Sequence, residues 1–294
     1  MWSGSPFSVP LPDGRIDFAY SVDADAETQS TRSDASDLIK LMESDSADGD
    51  PEISPVGSAQ GALAGTEFTM RVPVLMYHRI TCAPPDAQHP SLWICPEKFR
   101  AHLVRLKAEG WTSVTADALA RTFEARERFG RKYFVISIDD GNRDGYTAAF
   151  PILQELGMVA TFYVPAGRVG CCRRQLSWDD VRTMHAAGQD IGNHGMDHDA
   201  LAGASDLFWE IEMSQRVFDR ELGYRPTTFC YPYGSHDAQA HDQVRRSGMI
   251  LAFTTAYGAR ESTKAPMASK RIRINRSDSA AEVLAKVSEY ASGE

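Results

Sequence analysis

The stretch YFVISIDDG, residues 133–141, decides how the rest of the chain is interpreted. Its first six residues are mostly apolar and β-branched, which predicts a short buried strand. Two acids and a glycine follow at once, so Asp139 and Asp140 lie at the carboxyl end of that strand. In parallel α/β folds this end faces the ligand crevice, and packing alone does not account for two acids there. The stretch therefore predicts a parallel α/β fold with a functional site at this strand end.

A second polar group, HGMDH at residues 194–198, begins 54 residues after Asp140 and follows a predicted strand over residues 191–193. A third predicted strand end is FCYPYG, residues 229–234. Two imidazoles and one carboxylate can hold a divalent metal and leave room for water, while the other carboxylate accepts a proton. Adjacent aspartates are common in loops, and most histidine pairs of this spacing lie on surfaces or in cores. Their setting at strand ends favours a hydrolytic metal site.

The order of these motifs resembles the polysaccharide deacetylases of the NodB-homology type, carbohydrate esterase family 4. Four segments between about residues 70 and 290 carry the resemblance: VPVLMYH (72–78), SIDDG (137–141), the helix and strand over 150–164, and the histidine motif at 194–198. In the last of these, Gly195 stands where the family has serine or threonine. The resemblance implies a distorted (β/α) barrel of about seven parallel strands. Helical spacing predicts helices over 96–110, 142–156, 178–187, 207–222, 241–248 and 279–292.

The resemblance also implies roles for single residues. It makes Asp140, His194 and His198 the metal ligands and Asp139 the general base. A metal acidifies water, and Asp139 would complete the deprotonation as the water attacks an amide carbonyl. The backbone N–H of Tyr233 would stabilise the developing oxyanion, with Pro232 and Tyr233 contacting the substrate. Zinc is the favoured metal, and cobalt, nickel and manganese suit the same ligands. Taken alone, Pro-Tyr-Gly is more often a structural turn.

Two departures from the family pattern stand out. Cys230 occupies the position of the arginine in the family's Arg-x-Pro-Tyr motif, so another group must orient Asp139. Arg271 is the candidate, because KRIRI (270–274) resembles a Pro-Arg-Ile segment of some members; a surface charge on an edge strand is the alternative. The family's Leu-x-His motif, whose histidine protonates the leaving amine, is missing, since no histidine follows His241. His78 is the candidate replacement, and a structural histidine is the alternative.

Trp178 is a further candidate for substrate binding. The run SWDD at residues 177–180 predicts the start of a helix, with Ser177 as its N-cap and acids in the first turn. The resemblance places a tryptophan at this point near the sugar cleft. Trp178 is therefore a candidate for stacking on a pyranose ring, against the alternative of ordinary packing.

Charge is concentrated at the N-terminus. Residues 1–69 hold 13 acids and 3 bases, a net −10, whereas residues 70–294 hold 27 acids and 28 bases, a net +1. Between residues 21 and 67 the chain has too few apolar side chains to offset the entropy of ordering, while the first twenty residues can form a small hairpin. We predict an acidic, mostly disordered extension over 1–69 and a NodB-like catalytic domain over 70–294.

Several classes of partner and location are disfavoured. A nearly neutral catalytic region and an acidic extension do not attract phosphates, which argues against a nucleic-acid partner. No apolar run approaches eighteen residues, so no transmembrane segment is predicted, and the first residues lack the pattern of a signal peptide. Five cysteines, an odd number, argue against a disulfide framework, and Cys82, Cys95 and Cys230 are interpreted as ordinary thiols. The prediction is a cytoplasmic protein, or a secreted or periplasmic one if the start is misassigned.

The resulting hypothesis is a metal-dependent hydrolase that removes an N-acetyl group from GlcNAc-type amino sugars of a polysaccharide or glycoconjugate. The charge balance favours a neutral or cationic sugar. A deformylase or deacetylase of a lipid- or nucleotide-linked sugar is one alternative, and an intracellular location would favour it. A carbohydrate-binding relative without turnover is the other. The displaced arginine and the missing histidine favour that alternative, whereas the presence of Asp139 argues against it.

Overall fold

The computed structural model describes residues 66–130 and 132–290, together with two short strands near the N-terminus. These strands, β1 (Val9–Pro10) and β2 (Ile16–Asp17), pair antiparallel, as a hairpin requires. The chain divides into two compact units, Met1–Leu63 and Ala64–Glu294. Most of the segment predicted to be disordered lies outside the described residues.

A closed ring of seven parallel strands forms the barrel. In chain order the described strands of the second unit are β3 (Thr69–Met70), β4 (Val74–Tyr77), β5 (Thr112–Val114), β6 (Tyr133–Ile138), β7 (Thr161–Val164), β8 (Asp190–Asn193), β9 (Thr228–Cys230), β10 (Leu251–Tyr257), β11 (Glu261–Ser262) and β12 (Ser269–Arg273). Around the ring the order is β4, β12, β10, β9, β8, β7 and β6, and β6 pairs with β4 to close it. Strand β5 joins β6 outside the ring, and β3 pairs with β11. The predicted distorted barrel is confirmed.

Helices surround the barrel. They are α1 (Pro96–Ala108), α2 (Ala116–Glu124), α3 (Phe150–Leu156), α4 (Trp178–Ala186), α5 (Ser214–Leu222), α6 (Ala238–Arg246) and α7 (Ala280–Ser288). Single π-helical segments, Gly145–Ala149 and Phe208–Met213, lead into α3 and α5. Sequence periodicity predicts all of these helices except α2, which is capped by Thr115 accepting from Ala118 N at 3.1 Å. In the described part of the chain no helix has the length and hydrophobicity needed to cross a membrane.

Large side chains fill the inside of the barrel. Tyr163 packs beside Phe253, with ring centroids 6.1 Å apart, and its hydroxyl donates to Thr228 Oγ1 at 3.1 Å. The neighbouring strand makes room for this ring with Gly192, because a Cβ there would lie 2.3 Å from Tyr163 Cε1. Burying side chains of this size stabilises the fold by ~2 kcal/mol each. The interior is therefore a packed core, and the open end of the strands is left for chemistry.

A disulfide corrects one interpretation of the sequence. Cys82 and Cys95, 13 residues apart in the connection between β4 and α1, are bonded to each other, while Cys171, Cys172 and Cys230 are free. An odd number of cysteines excludes only complete pairing, so the interpretation of Cys82 and Cys95 as ordinary thiols is wrong. Closing a loop of this length restricts the unfolded chain and is worth about 3 kcal/mol.

Thiol counting tests this bond. Protein denatured without reductant should expose three titratable thiols, and reduction should raise the number to five. Cys82→Ser should lower the free energy of unfolding by about 3 kcal/mol in urea denaturation. Cys171→Ser is the control, because Cys171 is exposed and unbonded. Five thiols before reduction would contradict the assignment.

Glu261 is a fully buried carboxyl on β11. Neither of its oxygens accepts a hydrogen bond of normal geometry within the described chain, and only the backbone N–H groups of Glu261 and Val72 lie near. Burial raises the pKa of Glu261 from 4.5 to about 8. Between these two values the unfolded chain ionises while the folded chain keeps the proton. The contribution of Glu261 to the free energy of unfolding therefore falls as the pH rises through that range and is constant above it.

Replacing Glu261 should remove this pH dependence. The gain in the free energy of unfolding from Glu261→Gln, relative to the parent chain, should be larger at pH 8.5 than at pH 5 by about 4 kcal/mol. Urea denaturation of both proteins at the two pH values measures the difference. Glu289→Gln, at an exposed position, is the matched control. An equal effect of Glu261→Gln at both pH values would show that the carboxyl does not titrate as its burial requires.

Candidate active site

Three strand ends meet at the carboxyl end of the barrel. Asp139 and Asp140 follow β6, His194 follows β8, and the turn 231–234 follows β9. Strand β7 lies between β6 and β8, and β9 pairs with β8, so the three ends are near neighbours. The chain thus brings together the polar groups that the sequence marks as a site.

Asp140, His194 and His198 form a compact cluster. Asp140 Oδ1 lies 3.1 Å from His198 Nε2 and 3.5 Å from His194 Nε2. His194 Nδ1 is 2.6 Å from the Cys230 carbonyl oxygen, to which it can only donate, and His198 Nδ1 is 3.2 Å from the Tyr233 hydroxyl. Both rings are therefore held by Nδ1 with Nε2 turned towards Asp140, which is the orientation that a metal ligand needs.

This cluster fits a divalent metal. Its three donor atoms lie within 4.8 Å of one another, and two imidazoles with one carboxylate suit zinc and several of its neighbours. Hydrogen bonds from His194 and His198 hold the pKa of Asp140 well below its usual range, although burial opposes them. An ionised carboxylate facing two imidazole nitrogens is the chemistry of a cation site.

The backbone at the site is strained. Asp140, His198 and Tyr233 have φ values of 76°, 65° and 59°, in the left-handed region that side chains disfavour. Each such residue costs on the order of 1 kcal/mol, which the surrounding contacts must offset. Gly234 follows Tyr233 with φ 71°, and a Cβ there would lie 2.3 Å from Thr255 Oγ1. The turn after β9 therefore requires glycine at this position, and the strain gathers where the polar groups converge.

Asp139 and Arg271 form a buried ion pair beside this cluster. Arg271 Nη1 and Nη2 donate to Asp139 Oδ1 and Oδ2 at 2.8 and 2.7 Å. The guanidinium also donates to Ser137 Oγ and to the Thr254 carbonyl oxygen, each at 3.0 Å. The exposed fractions are 2% for Asp139 and 1% for Arg271. Since β12 lies inside the ring, Arg271 is not a surface charge on an edge strand.

The ion pair sets the charge of the carboxylate. Burial alone would raise the pKa of Asp139, but the charge and hydrogen bonds of Arg271 outweigh it and hold the pKa below its usual range. Two more groups touch Asp139 Oδ2: His78 Nε2 at 3.8 Å and Cys230 Sγ at 3.6 Å. The position where the family has arginine thus still contacts Asp139, while the guanidinium comes from β12.

Three further residues have contacts that bear on the site: Trp178, a candidate from the sequence, and Gln175 and Glu210, which the sequence analysis did not single out. Trp178 packs edge-on against Phe218 of α5 with ring centroids 5.9 Å apart, and no contact within the described part of the chain joins it to Asp140, His194 or His198. Gln175, in the amide orientation that satisfies both partners, donates to the carbonyl oxygens of Asp140 and Gly141 at 3.0 and 2.7 Å. Glu210 accepts backbone hydrogen bonds from the histidine loop. The run FWEIEM holds two acids, Glu210 and Glu212, and the sequence gives no signal that separates the buried one from the other.

Comparison with known proteins agrees with this geometry. Residues 126–252 match the sequence model of the family described as polysaccharide deacetylase. Over these residues the chain is similar to the polysaccharide deacetylases. The putative polysaccharide deacetylase YxkH of Bacillus subtilis is 27% identical over 212 residues, which cover 71% of this chain and 74% of YxkH. The peptidoglycan-N-acetylglucosamine deacetylase PgdA of Listeria monocytogenes is 27% identical over 120 residues, which cover 38% of this chain but only 24% of PgdA.

Solved structures share the fold. The Streptococcus pyogenes deacetylase PplD, determined in complex with acetate, superimposes with a TM-score of 0.69 at 25% identity and covers 74% of this chain and 98% of its own. IcaB from Ammonifex degensii gives a TM-score of 0.65 at 25% identity, with 74% and 97% covered. Almost the whole of each of these chains is therefore matched by the barrel.

The ion pair predicts strong coupling between its two partners. Arg271→Met should lower the free energy of unfolding by about 3–5 kcal/mol, because it leaves the buried Asp139 without a counter-charge. Asp139→Asn should also destabilise, and the double variant should lose less than the two single losses combined. Urea denaturation of all four proteins measures the coupling. Arg105→Met, which breaks a surface pair with Glu109, should change stability by no more than about 0.5 kcal/mol. Additive losses at positions 139 and 271 would contradict the pairing.

Proposed function

We propose that the chain is a metal-dependent N-deacetylase that removes acetyl groups from GlcNAc-type amino sugars of a polysaccharide or glycoconjugate. One observation carries the proposal: the cluster of Asp140, His194 and His198 lies directly beside the buried carboxylate of Asp139. Relatives named for the deacetylation of chitin and of peptidoglycan N-acetylglucosamine support the substrate class. The match covers only about a quarter of those proteins, so their substrates come to this chain as part of the proposal.

The proposed metal ligands are Asp140, His194 and His198, with zinc as the favoured ion and cobalt, nickel and manganese as the other candidates. When bound, the metal supplies a Lewis acid that polarises the acyl carbonyl and makes water more acidic. The hydrogen bonds from His194 to the Cys230 carbonyl and from His198 to Tyr233 support this assignment, since they fix both rings.

Proton transfer falls to Asp139. Its carboxylate takes a proton from the attacking water as the new C–O bond forms at the acyl carbon. Arg271 holds both carboxylate oxygens and thereby fixes the plane in which that proton is accepted. The backbone N–H of Tyr233 stabilises the charge that develops on the acyl oxygen, and Pro232 and the Tyr233 ring border the substrate.

The leaving amine needs a proton when the C–N bond breaks, and we assign its delivery to His78. His78 Nε2 lies 3.8 Å from Asp139 Oδ2, which is beyond hydrogen-bond distance but places the ring beside the carboxylate that takes the proton from water. The overall reaction consumes one water and yields acetate and the free amine. This assignment gives the chain a replacement for the absent Leu-x-His histidine.

The Cys82–Cys95 disulfide bears on location. Disulfides persist in oxidising compartments and are rare in the cytosol. The bond therefore favours a compartment outside the cytoplasm over the cytoplasmic location that the cysteine count had suggested. A glycan met there is favoured over a nucleotide-linked sugar of the cytoplasm.

Acetate release from N-acetylated chito-oligosaccharides tests the activity, with metal content measured on the same sample. Asp139→Asn should retain metal and lose turnover by at least about 10³-fold, because the base is gone. His198→Ala should lose metal as well as turnover, because one of three ligands is removed. His185→Ala is the matched histidine control, since His185 is exposed on α4 and stacks on Tyr224.

Circular dichroism at the assay temperature must show that each variant is folded, since Asp139 is also part of the buried ion pair. Wild-type turnover by folded Asp139→Asn would overturn the mechanism. Stoichiometric metal with no acetate from any acetylated sugar, but formate from formylated substrates, would replace deacetylation by deformylation. If the protein binds the sugar but contains no metal and releases no acyl group, the result would favour the binding-module alternative.

A further inference from the structure

Glu210 is buried beneath the loop that carries the two histidines. It lies in the π-helical segment Phe208–Met213, and its exposed fraction is 4%. Its carboxylate has no ion pair with any lysine, arginine or histidine in the described part of the chain. Instead, Oε2 accepts from the backbone N–H groups of Met196 at 3.0 Å and Asp197 at 3.2 Å. A carboxylate removed from water is thus satisfied by backbone donors of the histidine loop.

These two donors belong to the residues that connect His194 to His198. The carbonyl side of the loop is held from the other direction, because Ala166 N donates to the Gly195 oxygen and Gly167 N to the Met196 oxygen, each at 2.9 Å. Within the described part of the chain, only Glu210 accepts hydrogen bonds from the consecutive N–H groups of residues 196 and 197. His198 follows at once in the left-handed region, with φ 65°. The path into His198 therefore depends on where the Glu210 carboxylate lies.

The absence of a side chain at residue 195 matches this arrangement. Gly195 has φ 82°, and a Cβ there would lie 2.7 Å from Glu210 Oε2. Any residue larger than glycine must displace the carboxylate from the two N–H groups or distort the loop. The position of the Glu210 carboxylate therefore depends on glycine at residue 195.

We propose that Glu210 is a positioning residue of the metal site: it acts through Met196 and Asp197 to hold His198 where its Nε2 faces Asp140, and Gly195 is required because Glu210 occupies the space beside it. The proposal rests on the proposed metal-dependent function. Glu210 touches neither metal nor substrate, and hydrogen-bond acceptance rather than negative charge is its contribution. Groups that orient metal ligands in this way typically change metal affinity by about 10–100-fold.

Metal affinity of the folded protein is the decisive measurement. Zinc is titrated into metal-free protein in competition with a chelating indicator, at a temperature well below the unfolding midpoint. Glu210→Ala should weaken zinc binding by at least about tenfold. Glu210→Gln should stay within about threefold, because the amide oxygen can still accept both N–H groups. Glu212→Ala is the matched control: Glu212 lies in the same segment but pairs with Arg216 and Arg225.

A role limited to stability would lower the unfolding temperature of Glu210→Ala and leave the zinc affinity of the folded protein unchanged, and that result would overturn the proposal. Equal loss in the Gln and Ala variants would overturn it as well, since charge would then be what acts. If Glu210→Ala does not fold, Gly195→Ala keeps the carboxylate but displaces it, and it should weaken zinc binding to a similar degree. A parent protein that binds no zinc defeats the proposed function itself, whereas zinc binding that is insensitive to position 210 defeats only the positioning role.

Discussion

The buried pair of Asp139 and Arg271 is the constraint around which the carboxyl end of the barrel is arranged. Taking both ions out of water costs several kcal/mol for each, and a single contact would not repay that cost. A bidentate pair offsets this cost, together with two further hydrogen bonds that the Arg271 guanidinium donates to Ser137 Oγ and to the Thr254 carbonyl. These groups come from β6, β10 and β12. Closure of the ring through β4 and β12 brings these strands around one guanidinium, so the ionised state of Asp139 depends on the closed barrel.

Other buried carboxyls of the same domain show how much depends on the partner. Asp139 has a guanidinium, and its pKa lies below the usual range despite burial. Among the described residues, Glu210 has only two backbone N–H groups as hydrogen-bond donors, and burial raises its pKa to about 7. Glu261 lacks well-formed hydrogen bonds within the described chain, and its pKa rises to about 8. Burial is similar in kind at all three positions, so the decisive quantity is the number and charge of the donors. Of these three carboxyls, Asp139, which lies beside the cluster of Asp140, His194 and His198, has the strongest compensation for its burial.

Sequence was sufficient for features that depend on local pattern. The apolar run before Asp139 predicts a strand end by composition, and the order of the motifs resembles a family whose fold is a distorted (β/α) barrel. Features that depend on distant partners were not accessible in this way. The bond between Cys82 and Cys95 requires knowing the path of a connection. Helix α2 is different, because it is amphipathic over its nine residues and its pattern was available in the sequence. Glu210 reads as a surface acid until the loop is known to fold over it. Its partners are backbone N–H groups, which nearly every residue type has, so the sequence does not identify them.

The relocated guanidinium explains how a departure from the family pattern is compatible with an intact site. Cys230 holds the position where the family has arginine, and its sulfur still lies 3.6 Å from Asp139 Oδ2. Cys230 lies on β9, and the next strand in the ring is β10, which pairs with β12. From β12, Arg271 reaches both carboxylate oxygens of Asp139. What the carboxylate requires is two donors in the plane of its oxygens, and a barrel offers more than one strand from which a long side chain can supply them. Residue identity at one motif position is therefore a weaker guide to such a site than donor geometry at the carboxylate. By that measure the surroundings of Asp139 are complete.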